Sequence, residues 1–424
     1  MSKEPPKSIE ETGLKIQREA GLAKLPNGNT TVLAEIINRS LVHIQTSKAL
    51  GMLHRIGEHE LYGPDYRLVC AWAEELRQTP GEILGVLLKK IPKVNWQTEL
   101  VRGRFRSIQV DRSILRVGGL PSIEGLVLES LGFSGGEYGA LKLDLSAVPN
   151  LMRLWCCWNR LAELDLSAAP NLTELWCSNN LLTALDLSAV PNLTKLMCGF
   201  NGIRNLDLSS VPNLRSLSCE FNRLSRLDIS LNPNLKILNC SYNTIHELNF
   251  ADSQNLAELV CASNCLAVLD SSSFPSLKKL DCFCNDLSSL DLSIARNLKM
   301  LNCGFNDLKK IDLSGVPNLE ILDCGNSKLS EIDLSCVPKL IKLDCSINEL
   351  SELFLSKTPN LKVLKCNHNK LEKIDLSFAP DLKQIICYCN DISEMNVCSL
   401  NKLKKIEHFD GINRIIQRPD QKFK

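Results

Sequence analysis

Twelve cysteines return at one fixed interval: stepping by 21 from Cys156 lands on Cys177, Cys198, Cys219, Cys240, Cys261, Cys282, Cys303, Cys324, Cys345, Cys366 and Cys387. A thiol can be a nucleophile, a redox partner or a metal ligand, so a row of them raises all three chemistries. Metal binding needs Cys-x-x-Cys or Cys/His clusters that converge on a point, and a single file converges nowhere. Disulfides between successive coils fall within reach of a Cα spacing of about 5 Å, but parallel side-chain vectors fit the required dihedral poorly. What remains is a column of small buried apolar side chains selected for volume. Cys70, on an apolar stripe, reads the same way, and His54 and His59 beside Glu58 and Glu60 match no ligand spacing. The chain also lacks a GxxxxGK[ST] loop, a GxSxG elbow and an HExxH helix. The expectation is therefore no catalytic residue, no metal and no cofactor: not an enzyme.

The elements that carry the row repeat with it. The unit LxxLxCxxNxLxxLDLSxxPN recurs about twelve times between residues 145 and 394, with a decayed copy at each end. A fixed period in this range marks a solenoid, in which each coil touches only its neighbours. Leu175 and Cys177 exemplify a short strand whose alternate side chains face inward, and copies stack as a parallel sheet about 4.8 Å apart. Asparagine follows each ladder cysteine by three, with one departure at Ser327, where Asn326 sits one place early. Such a row can satisfy turning backbone as a buried amide ladder. The second half, such as "LDLSAVPNL", is too short for a long helix and predicts turns or a single 3₁₀ turn.

This pattern is similar to the leucine-rich repeat with cysteine in place of one leucine, and it most resembles the 21-residue repeats of bacterial internalin-like proteins. The resemblance covers about 60% of the chain. It implies a mainly β member of the α/β class, a right-handed coil with a parallel concave sheet. It implies a protein-interaction scaffold, including the option of a secreted bacterial effector, because this scaffold hosts many partners.

The flanks read differently. Residues 1–29 are expected to be disordered, 30–125 a small helical domain, 126–416 the solenoid and 417–424 a basic tail. Leu33, Ile36, Ile37, Leu41 and Ile44 fall on one helical face; a second short helix is expected around "SKALGMLHRIG". Two more are expected in "GPDYRLVCAWAEELRQ" and "TPGEILGVLLKK", where Thr79, Pro80 and Glu82 make an N-terminal cap. "VRGRFRSIQVDRSILRV" suits an edge strand blunted by Arg102, Arg104 and Arg106. The tandem helices could instead be a DNA-binding pair, but "GEILGVLLKK" has few side chains able to read bases. Only nine residues follow the last decayed repeat, where His408 and Gly411 replace cysteine and asparagine, so no catalytic domain is expected there.

Charge agrees with a protein partner. The net is +1 overall, but residues 1–120 carry +5, residues 121–400 carry −8 and residues 401–424 carry +4. The longest domain is thus acidic, which disfavours nucleic acid. No apolar run is long enough to span a membrane, and the polar N-terminus lacks a signal-peptide core. The chain is expected in the cytoplasm of the producing cell, or in a host cytosol after signal-peptide-independent delivery. The partner-facing positions flank the cysteine row: Trp155, Trp176 and Met197 before it, Trp158, Phe200, Phe221 and Tyr242 two places after it, and Asp281, Asp323 and Asp344 further along. Exposed aromatics suit binding anchors, although the tryptophans could nearly as well pack on the N-terminal domain or on each other. The alternative function is an adaptor whose helical domain binds nucleic acid or recruits an enzyme.

Overall fold

The computed structural model describes residues 143–407 apart from 144, 147, 251–252 and 270–273. It also describes strands within 53–62, 99–111 and 129–134, and residues 414–419. The chain divides into two units, Met1–Gly202 and Ile203–Lys424.

In the first unit, strands Arg153–Trp155, Glu174–Trp176 and Lys195–Met197 pair in parallel with Leu154, Leu175 and Leu196 in register. The sheet continues backward through Ser130–Ser134 to Arg104–Asp111, both parallel, and ends at Glu99–Val101, which runs antiparallel. Arg104–Asp111 is therefore bonded on both sides and is not the expected edge strand; Glu99–Val101 takes the edge among the described residues. In the second unit ten three-residue strands, from Ser216–Ser218 to Lys405–Glu407, pair in parallel with their central Leu217, Leu238, Leu259, Leu280, Leu301, Leu322, Leu343, Leu364, Ile385 and Ile406 aligned. A 21-residue repeat puts the same residue type at the same height in each coil, so the register follows from the period.

The central leucines from Leu154 to Leu364 and the ladder cysteines are buried completely. The other half of each coil turns by consecutive i→i+3 bonds, as in Ala169 N–H to Leu166 O and Leu172 N–H to Ala169 O. The Asp of "LDLS" closes an Asx turn: Asp291 Oδ1 accepts from Ser293 N–H at 2.9 Å. No helix occurs among the described residues.

One expected helix is corrected. Leu53–Ile56 pairs antiparallel with His59–Tyr62, with Ile56 opposite His59. The sequence between them is Gly57-Glu58, and glycine in a two-residue link is a hairpin signal that outweighs the apolar spacing. The helices expected at 30–44, 64–78 and 79–90, and the disorder expected at 1–29, lie outside the described residues.

Candidate protein-binding surface

The inward rows are structural. Asn180 Nδ2 donates to Cys156 O at 2.8 Å in the preceding coil and to Cys177 O at 2.9 Å in its own, while its Oδ1 accepts from Leu161 N–H at 2.9 Å. Asn243, Asn264, Asn285, Asn306, Asn348 and Asn369 repeat the two donations. Ser327 substitutes its hydroxyl, donating to Cys303 O at 3.3 Å. Burial pushes the ladder thiols up, Cys240 and Cys387 to about 12 and Cys261 and Cys282 well above the ordinary value. Thiolate chemistry is thereby closed to them. All the cysteines described are free thiols. Cys157, the neighbour of the first ladder cysteine, is buried as well, and its thiol is also pushed up to about 12.

A second row is invisible in residue types. The residue before each asparagine has a left-handed backbone: φ is 63° at Trp158, 56° at Phe200, 52° at Phe221, 54° at Tyr242, 52° at Phe305 and 56° at Ile347. Asparagine, which tolerates such a position, holds it at Asn179 and Asn326, but at the residues above large side chains occupy it at a cost. The neighbouring coil enforces it: Tyr242 N–H donates to Ala262 O at 2.8 Å and Ile347 N–H to Asn367 O at 2.8 Å. The conformation throws these side chains outward, and Trp158 is 60% exposed, with Phe200, Phe221, Tyr242 and Phe305 also exposed.

In the first unit Trp158 and Phe200 are therefore accessible, Trp155 and Met197 are half-buried, and Trp176 is only 9% exposed. The expectation of an exposed Trp176 is corrected: its neighbours Trp155 and Met197 stand on the paired strands, and the Lys195 Nζ lies 4.8 Å from its ring centroid.

In the second unit a hollow of about 390 Å³ opens on the outward sheet face, floored by Asn239, Val260, Asp281 and Asn302 and walled by Tyr242 and Phe283. Phe221 and Tyr242 stack at 4.1 Å, and Phe283 meets Phe305 at 4.8 Å. The acidic residues differ among themselves. Asp344 is buried rather than exposed, because it holds Lys365 at 2.9 Å and accepts from Ser346 Oγ at 2.5 Å. Asp323 and Asp281 are half-buried, and burial raises both carboxyls; Asp344 adds to the effect at Asp323. Asp281 Oδ1 accepts from Phe283 N–H at 3.3 Å, and no salt bridge reaches Asp281 among the described residues.

This geometry, parallel three-residue strands at a 21-residue period over cysteine and asparagine ladders, is that of a leucine-rich repeat coil. Residues 170–210 and 296–336 match the model for leucine-rich repeats in two copies. A search of curated protein sequences finds no match. Among solved structures, the functional domain of InlJ from Listeria monocytogenes, which includes a cysteine ladder, is 29% identical. The similarity covers 71% of this chain and 72% of that one, with a TM-score of 0.58. The leucine-rich effector protein YopM from Yersinia pestis is 23% identical over 74% of this chain and 88% of that one, at a TM-score of 0.59. The internalin InlF from Listeria monocytogenes is 16% identical over 83% and 89%, at 0.54. The chain thus carries leucine-rich repeats at a 21-residue period, and its coil is similar to the cysteine-ladder repeats of InlJ. Such repeats are commonly protein-binding modules.

Proposed function

We propose that this protein is a non-enzymatic scaffold that holds a protein partner against the outward sheet face, which a leucine-rich repeat coil presents as its concave side. The observation that supports this reading is the exposed aromatic row at positive φ. Trp158, Phe200, Phe221, Tyr242 and Phe305 sit in a costly backbone conformation and leave much of their apolar surface in water. The core gains little from them there, whereas aromatic anchors dominate protein interfaces. Partner recognition is their use.

The test compares proteins captured by the immobilised full chain with those captured by two variants. Tyr242→Asn keeps a side chain suited to left-handed backbone while removing the ring. Phe354→Asp alters the 66%-exposed Phe354, which takes the place of the turn aspartate outside the sheet. A genuine partner stays with Phe354→Asp and binds Tyr242→Asn about thirtyfold more weakly, or about 2 kcal/mol. Equal binding to Tyr242→Asn would overturn the assignment of this face.

A further inference from the structure

We infer that the hollow of the second unit receives an arginine side chain from an extended segment of the partner, an inference that rests on the sheet-face reading above. The aromatic row is interrupted between Tyr242 and Phe305, where Ser263 and Cys284 are small, so a gap opens between two aromatic pairs. Ala262 and Val260 leave the gap shallowly floored with apolar surface.

Charge decides the occupant. The lining carries two carboxylates, Glu220 and Asp281, and no basic residue. Glu220 is already engaged by the Ser218 hydroxyl. Asp281 has one backbone donor and no ion pair among the described residues, although it is taken substantially out of water. Lys279, two residues earlier, only eases its ionisation from a distance. The contrast is Asp344 in the same column, whose charge is met by Lys365. A half-buried carboxylate lacking a counter-charge gains most from a cation brought by the partner. A guanidinium fits better than an ammonium: it is planar, lies against aromatic faces and binds a carboxylate through two N–H groups, and it sheds water more easily. An anion is repelled by the same two carboxylates.

The test selects binders for the immobilised full chain from displayed random twelve-residue peptides, then measures synthetic copies. Arginine should be enriched at one peptide position. Replacing it by citrulline, which has the same shape without the charge, should weaken binding about tenfold. Asp281→Asn should weaken the arginine peptide by a similar factor and leave the citrulline peptide nearly unaffected, so that the two changes are not additive. The melting temperature of Asp281→Asn should not fall, since the substitution removes a carboxylate that burial penalises. Peptides that need Tyr242 but bind equally with citrulline overturn the arginine site while leaving the sheet face as the docking surface. Selected peptides indifferent to both Tyr242 and Asp281, or no selection at all, overturn both.

Discussion

Asn285 Nδ2 donates to the carbonyl of Cys261, 24 residues earlier, at 3.1 Å, and to that of Cys282 in its own coil at 3.0 Å. Its Oδ1 accepts from Leu266 N–H at 3.0 Å. One side chain thus ties together backbone groups of two coils. Asn285→Ala leaves those groups short of partners in a site water hardly reaches, and should cost about 3 kcal/mol. The midpoint of urea unfolding at unchanged slope measures it. A loss below about 1 kcal/mol would mean that the amide row is not what ties coil to coil.

That row was legible because repetition made it so. Twelve copies turn a weak residue preference at each site into a periodic signal, and the Leu-x-Cys strand, the asparagine exit and the short turns follow from it. The flanks occur once and offered only spacing, which is why Leu53–Ile56 read as helix when Gly57 makes the hairpin. Exposure was also partly hidden. Trp176 occupies an outward strand position, yet its paired neighbours Trp155 and Met197, with the Lys195 ammonium over its ring, leave it little exposed. The left-handed row had little residue signature, with asparagine only at Asn179 and Asn326, because hydrogen bonds from the next coil, not glycine, impose it.

Ile347 is the severest case in that row, a β-branched residue at φ 56° with half its surface in water. Asparagine tolerates this backbone region far better. Ile347→Asn should therefore stabilise the protein by about 1 kcal/mol, seen as a higher melting temperature. A lower one would show that Ile347 contributes packing beyond its strain.

The cysteine ladder makes stability sensitive to alkali. Below the ordinary thiol value of about 8.5 both folded and unfolded chains are protonated, and the ladder adds no pH dependence. As pH rises past it, the unfolded chain ionises while buried Cys261, Cys282 and Cys303 do not. Each such thiol then removes about 1.4 kcal/mol of stability per pH unit, until pH passes its folded value. Between about pH 9 and 10.5, Cys282→Ala should flatten the decline by one thiol's share, whatever it does to absolute stability. An unchanged slope would mean that Cys282 ionises in the fold. Under native conditions alkylating reagents should label the exposed Cys265, Cys284, Cys336 and Cys389 first, sparing the ladder and Cys157.

Asp323 works in the opposite sense to an ordinary salt-bridged carboxylate. Burial raises the Asp323 carboxyl first and the charge of Asp344 raises it further, against weaker lowering by Gly325 N–H, Lys342 and Lys365. The unfolded chain ionises near the usual 3.9 at no such penalty. Stability associated with this group is thus fully present below that value and is lost as pH rises through the raised folded value. Asp323→Asn removes the penalty and retains an oxygen able to accept from Gly325 N–H, now at 3.3 Å. The variant should melt higher than the parent at pH 7, and the difference should fade as pH falls to about 3.5. Paired melting curves across that interval check it. A variant less stable at pH 7 would show that attraction to Lys342 and Lys365 outweighs burial and the repulsion from Asp344, and that the acidic column holds the coils together.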